Sequence, residues 1–202
     1  MAALTRGRIL RAAVRIADTD GFDAVTLRRI ATDLDVHVTS LYNHVPTREA
    51  VTDGLVELLL DEAKLPVEPI GWEEWVRRFV AAVATIATTH PGAFHALQRR
   101  PVQGARATGS FEVALGAFTQ AGLSLADAYA AVKTTAFLAL MVGAERSMLA
   151  RGETPETEIE ALPAEGFPLV RAVAAVSDPE QAWAFALESL VAGLRAQLPA
   201  SS

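Results

Sequence analysis

The chain has 202 residues and no cysteine, which excludes disulfides and cysteine-ligated metal sites. Its formal net charge of −6 argues by itself against a nucleic-acid partner, but the charge is unevenly spread. The first fifty residues hold seven arginines against six carboxylates, a balance of +1, so the remainder sums to −7; such asymmetry points to divided labour along the chain.

The length suits one or two compact domains. The opening MAALTRGRIL lacks the apolar stretch of a secretory signal, so a cytoplasmic protein is expected. The longest apolar run, Thr135 to Ala144, falls short of the roughly 20 residues that span a bilayer and reads as a buried helix; no membrane partner is expected.

Helical periodicity dominates, and no clean period-2 run bounded by turns marks a strand. Thr5 is the predicted N-cap of a first helix, Arg6 to Thr19, whose apolar face is Ile9, Ala13, Ile16 and Ala17, stopped by Gly21. Thr26 caps a second, Leu27 to Leu34, with Leu27, Ile30, Ala31 and Leu34 in an i, i+3, i+4, i+7 stripe. After the turn Asp35-Val36-His37 a brief third helix runs from Val38 to Val45, closed by Pro46, and Thr47 caps a fourth from Arg48 to Ala63. Pro66, Pro69 and Gly71 mark a connector. Alanine-rich helices follow at 72–89, 92–99, 110–121, 125–150, 166–176 and 179–198, with Ser124 and Asp178 as N-caps. The Glu-, Thr- and Pro-rich stretch from Gly152 to Pro163 reads as a mobile loop.

Two short helices joined by a three-residue turn, behind a longer one, describe a helix-turn-helix. At about 100° per residue, Val38, Leu41 and Val45 fall on one side of the third helix. Thr39, Ser40, Asn43 and His44 fall on the other, with Tyr42 at the border. An ordinary solvated face would carry Glu, Lys or Gln, which favour helix; this one carries poorer helix formers. Their hydroxyl, amide and imidazole groups suit base edges and phosphates instead. Arg28, in the first turn of the second helix, opposes the helix dipole at a cost of about 0.3–1 kcal/mol, which a phosphate or a bidentate guanine offsets. Arg48 is placed to clamp backbone.

His37 and His44 lie seven apart without a carboxylate at ligand spacing, so no metal or cofactor is expected. No Gly-rich phosphate loop, HExxH or GxSxG occurs, and no enzyme is expected. A helical protein-interaction module without DNA specificity would share the apolar helices but would not need the polar face of the third.

The run Thr26-Leu-Arg-Arg-Ile-Ala-x-x-Leu, the short turn, Thr39-Ser-Leu-Tyr-Asn-His and Pro46-Thr-Arg-Glu-Ala together resemble the DNA-binding domain of the tetracycline-repressor (TetR) family. The C-terminal half resembles the branch of the tetracycline repressors in pattern: Trp72, His90-Pro-Gly, Gly122-Leu-Ser-Leu-Ala-Asp, Phe167, and Asp178-Pro-Glu-Gln before a terminal helix. The resemblance implies an all-α fold, with a DNA-binding head at 1–47 and a ligand-binding and dimerisation domain at 48–202. It implies a repressor that binds a near-palindromic double-stranded DNA operator as a homodimer and is released by a small-molecule effector. It assigns base contacts to Arg28, Thr39, Ser40 and Asn43, and phosphate contacts to Thr26, Tyr42, His44 and Arg48. It gives the dimer bundle to the helix at 125–150 and to the last helix, where Leu187, Leu190, Val191 and Leu194 are apolar and Ala182, Ala186 and Gly193 are small. Helix faces and position in the resemblance nominate Phe79, Phe94, His95, Phe118, Phe137, Met141 and Glu145 as effector contacts. His95 and Glu145 stand near a His and a Glu of a magnesium–drug chelate, but the rest of that drug-binding set is not recognisable, so an apolar or aromatic effector is expected. Asp35 stands where the family commonly has Gly, in a turn that calls for a left-handed residue, which Asp tolerates. Asn43 replaces a bulkier residue, so the operator sequence does not carry over.

Overall fold

The computed structural model describes residues 3–100, 104–153, 166–174 and 176–199, and every regular element among these is helical. The helices are α1 (Arg6–Asp20), α2 (Leu27–Asp33), α3 (Val38–Leu41), α4 (Arg48–Glu62), α5 (Trp72–Thr89), α6 (His95–Arg99), α7 (Ala105–Gln120), α8 (Leu125–Ala150), α9 (Pro168–Ala174) and α10 (Pro179–Gln197), with one 3-10 turn at Phe22–Ala24.

The starts capped by a side chain follow the sequence closely. Thr5, Thr26, Thr47 and Ser124 each accept a hydrogen bond from the backbone N–H three residues on, and Asp178 accepts one from Glu180 N–H with Pro179 at the first helical position. Ends and interruptions follow it less well. Tyr42–His44 form a turn rather than the last part of α3, because poor helix formers meet Pro46 there. The segment predicted as a helix from 92 begins at His95, and the one predicted from 110 begins at Ala105. α9 is shorter than 166–176 at both described ends. The predicted loop lies outside the described residues except for Gly152 and Glu153, which close α8 with a turn.

α8 has 26 residues and is long and apolar enough by composition to cross a membrane, longer than the apolar run alone implied. In this fold it is the central helix of the body: Ala128, Ala131, Val132, Thr135, Ala139, Val142 and Gly143 are buried against its neighbours. Trp72, Trp75 and Val76 of α5 with Ala114, Ala117 and Phe118 of α7 form one apolar cluster with it. Leu187, Leu190, Val191 and Leu194 of α10 join that same cluster. The apolar row assigned to a dimer bundle thus packs inside the chain, leaving Ala182 and Gly193 exposed.

The larger core cluster is continuous from the head into the body. It runs from Ile9, Ile16, Ile30, Leu41 and Val45 through Val51, Leu55 and Leu59 of α4 to Val83, Phe94 and Leu97. Where α1 meets the turn after α5 the backbones nearly touch: a Cβ on Gly92 would lie 1.8 Å from the carbonyl oxygen of Ala17. Gly92→Ala therefore costs at least about 2 kcal/mol of unfolding free energy, because backbone must move to admit one methyl group. Gly116→Ala, in open space on α7, raises stability by about 0.5–1 kcal/mol. Urea unfolding of the two variants checks both signs.

Candidate nucleic-acid interface and effector pocket

The head presents the surface that the third-helix pattern predicts. Leu41 and Val45 are fully buried, and Val38 packs on the same core. Thr39, Ser40, Tyr42, Asn43 and His44 are all exposed, Tyr42 at 50%. Asp35 takes φ +52°, the left-handed conformation expected of that turn, and Val36 N–H returns to Ala31 O at 3.0 Å. Thr26 uses its hydroxyl oxygen to accept from Arg29 N–H at 3.1 Å, which leaves the hydroxyl proton free to donate. Thr39 Oγ1 lies 3.2 Å from His37 Nδ1.

The arginines divide by partner. Arg29 pairs with Asp20 at 2.9 Å, Arg15 with Asp33 at 2.7 Å, and Arg48 with Asp23 at 3.8 Å. Arg28 is exposed, and among the described residues no carboxylate pairs with it. It is the cation at the head of α2 that remains available to an anion.

Head and body are joined by a polar clasp. Asp18, at the end of α1, accepts hydrogen bonds from Gly92 N–H and Ala93 N–H, both at 3.0 Å, with one oxygen. Its other oxygen meets His90 Nδ1 at 2.9 Å, and His90 Nε2 lies 3.3 Å from Glu62 of α4. These bonds direct the Gly92 and Ala93 amides toward α1, which is why α6 starts late. Three further carboxylates of α4 lie four residues apart, each held by a different element: Asp53 by Arg100 at the end of α6, Glu57 by Arg6 of α1, Asp61 by Arg106 of α7. Arg100 holds the Asp53 carboxyl below the usual carboxylate range, chiefly through their hydrogen bonds.

In the body, a cavity of about 530 Å³ opens between α5, α6, α7 and α8. Its wall is aromatic and apolar. Trp75 and Phe79 stack with centroids 4.8 Å apart, Phe111 and Tyr129 meet edge to face at 6.2 Å, and Leu65, Leu97, Val132, Phe137 and Leu140 fill between them. Of the nominated effector contacts, Phe79 and Phe137 line this cavity. Phe94 and Phe118 are buried core, the first against Gly143 and the second against Trp72. Met141 is exposed outside the cavity. His95 faces Phe22 and lines a separate polar hollow with Arg99 and Arg151, whereas Glu145 accepts a hydrogen bond from Trp183 Nε1. The two residues set beside a metal chelate thus face different neighbours, and among the described residues no three His, Asp or Glu side chains are grouped to hold a metal ion. Missed were Trp75, Tyr129 and Lys133, although each lies four or eight residues from Phe79 or Phe137 on the same helix face.

Residues 9–53 match the model of bacterial regulatory proteins of the tetR family, and residues 65–198 that of the tetracyclin repressor-like C-terminal domain. The chain belongs to the TetR family. An HTH-type transcriptional regulator of Saccharopolyspora erythraea is 35% identical over 63% of this chain, which spans 55% of that protein's length. The tetracycline repressor protein class D of Escherichia coli is 29% identical over 99% of this chain and 93% of its own. The solved structure of the TetR family protein ActR of Streptomyces coelicolor in complex with actinorhodin is 26% identical, with a TM-score of 0.80 over 96% of this chain and 98% of that one.

The Asp53–Arg100 pair has a pH signature. Because the folded carboxyl is held low, the pair contributes fully above the unfolded aspartate value of about 4 and is lost as pH falls through the lowered folded value. Urea unfolding at stepped acid pH shows stability falling across that window, and Asp53→Asn flattens this part of the decline.

Proposed function

We propose that the chain is a ligand-responsive transcriptional repressor of the TetR family, which binds a near-palindromic operator as a homodimer in the cytoplasm and is released by a small apolar or aromatic effector. One observation carries this reading. The exposed, hydrogen-bonding face of α3, with the unpaired Arg28 beside it, is connected through α4 to the walls of an aromatic cavity.

The division of labour falls at Thr47. Residues 1–47, joined by Arg48 at the start of α4, read DNA: Arg28, Thr39, Ser40 and Asn43 face base edges, while Thr26, Tyr42, His44 and Arg48 position the head on phosphates. Residues 48–202 bind the effector and dimerise. Phe79 and Phe137 contact the effector directly; Phe94 and Phe118 support the wall from behind. Two relatives agree with an effector: ActR is solved in complex with actinorhodin, and the class D protein is a tetracycline repressor.

The homodimer is supported by α10. With its apolar row turned inward, its outer face shows Phe185 at 75% exposure among small residues, Ala182, Ser189, Ala192 and Gly193. Such a face suits close helix approach by a second copy. Coupling is supported by shared residues: Leu65, which follows α4, and Arg100, which holds Asp53 of α4, both line the cavity. An effector that displaces α6 moves α4 and with it the spacing of the two reading heads; by linkage, the operator weakens the effector to the same degree.

A mobility-shift assay on DNA flanking the protein's own gene, at two salt concentrations, tests the reading. Wild type gives a discrete shift that survives competitor DNA and weakens with salt. Arg28→Ala costs about 1–3 kcal/mol and relaxes specificity at one base pair; Tyr42→Ala weakens binding to all sequences alike. No selective binding there, followed by no preferred sequence in a selection from random duplexes, would replace the repressor with a protein-interaction module.

A further inference from the structure

The aromatic cavity is one-sided in charge. Among the described residues three cations line it, Arg99, Arg100 and Lys133, and no aspartate or glutamate does. Two of the three are neutralised from outside: Arg99 by Asp23 at 3.2 Å, with its guanidinium over the Phe22 ring, and Arg100 by Asp53 at 2.6 Å. Lys133 differs. Among the described residues no carboxylate lies within the 4.0 Å of an ion pair from it, and its ammonium stands 4.9 Å from the centroid of Phe137.

The placement of Lys133 on α8 is equally distinctive. It sits in a row of residues four apart, Leu125, Tyr129, Lys133, Phe137 and Met141, whose other members are apolar or aromatic. The same cavity offers little else to a polar ligand. The indole N–H of Trp75 is spent on Ser110, at 3.0 Å to the carbonyl and 3.2 Å to the hydroxyl, and Trp75 is 1% exposed, so it backs the half-buried Phe79 ring and offers a ligand no polar group. A stacked aromatic pair supplies flat apolar surface, and a single unpaired ammonium over a ring supplies one point of positive charge.

We propose that the effector is a planar aromatic acid, whose rings lie against Phe79, which Trp75 backs, and whose carboxylate, or ionised phenol or enol, pairs with the Lys133 ammonium. This deepens the effector-pocket reading and rests on it. Lys133 is exposed, so a neutral aromatic of the same shape would leave it solvated and gain nothing from its charge; an aliphatic acid would leave the aromatic wall unfilled. Lys133 therefore sets the charge preference of the site, and the aromatic wall sets its shape preference.

The test compares anthraquinone carboxylate with its neutral hydroxymethyl analogue by titration calorimetry on the full chain, wild type and Lys133→Met. Methionine keeps the apolar stem and removes the charge. In wild type the acid binds more tightly than the alcohol by about fivefold or more, and the preference shrinks in high salt. In Lys133→Met the preference vanishes, the acid and the alcohol binding alike. Equal binding of both probes to wild type overturns the inference and leaves the pocket standing. A preference that survives in Lys133→Met overturns it too and moves the anion to an arginine. If neither probe binds wild type, the inference and the pocket reading fall together.

Discussion

The carboxylate of Asp18 is the contact on which the rest of the architecture depends. It lies in the last turn of α1, accepts from two consecutive amides of the α5–α6 turn, and orients His90 toward Glu62 at the end of α4. Bonds from N–H groups to an ionised carboxylate are among the stronger ones a protein makes. This one holds the turn close enough to α1 that only glycine fits at position 92. The head is thereby fixed to the body at a point remote from α3.

α4 lies between them as the element with a choice. Its apolar face is buried with the head and the body alike, and its carboxylates are held by three arginines from three different elements. Exposed ion pairs of this kind are worth about 0–1 kcal/mol each. They set the resting position of α4 without locking it, which is what an effector of modest affinity requires if it is to shift the balance. A dense apolar joint alone would resist any such shift; ion pairs alone would not define a position.

Much of this was legible in the sequence, for physical reasons that differ from element to element. Helix starts were legible because capping is local: Thr5, Thr26, Thr47, Ser124 and Asp178 satisfy amides two or three residues away. The faces of α3 followed from periodicity, and the left-handed Asp35 from the geometry of the turn. Helix ends and the α5–α6 turn were less legible because they answer to partners far along the chain; nothing near Gly92 announces that Asp18 will claim its amide. The aromatic cavity was half legible. Phenylalanines at helical spacing are equally suited to core and to pocket, and Phe94 and Phe118 went to core while Phe79 and Phe137 did not. The inward turn of Leu187, Leu190, Val191 and Leu194 was hidden for the same reason: an apolar stripe says that a face is covered and not by what.

The measurement that tests the joint most directly is amide hydrogen exchange across the whole chain, comparing wild type with Asp18→Ala. If the clasp is what fixes the head to the body, loss of the carboxylate lowers protection in the α5–α6 turn, in α6 and in α4, while α7 and the inner face of α10, which belong to the separate apolar cluster, keep theirs. Protection that is unchanged in α4 and α6, or that falls equally in every helix, would contradict the account.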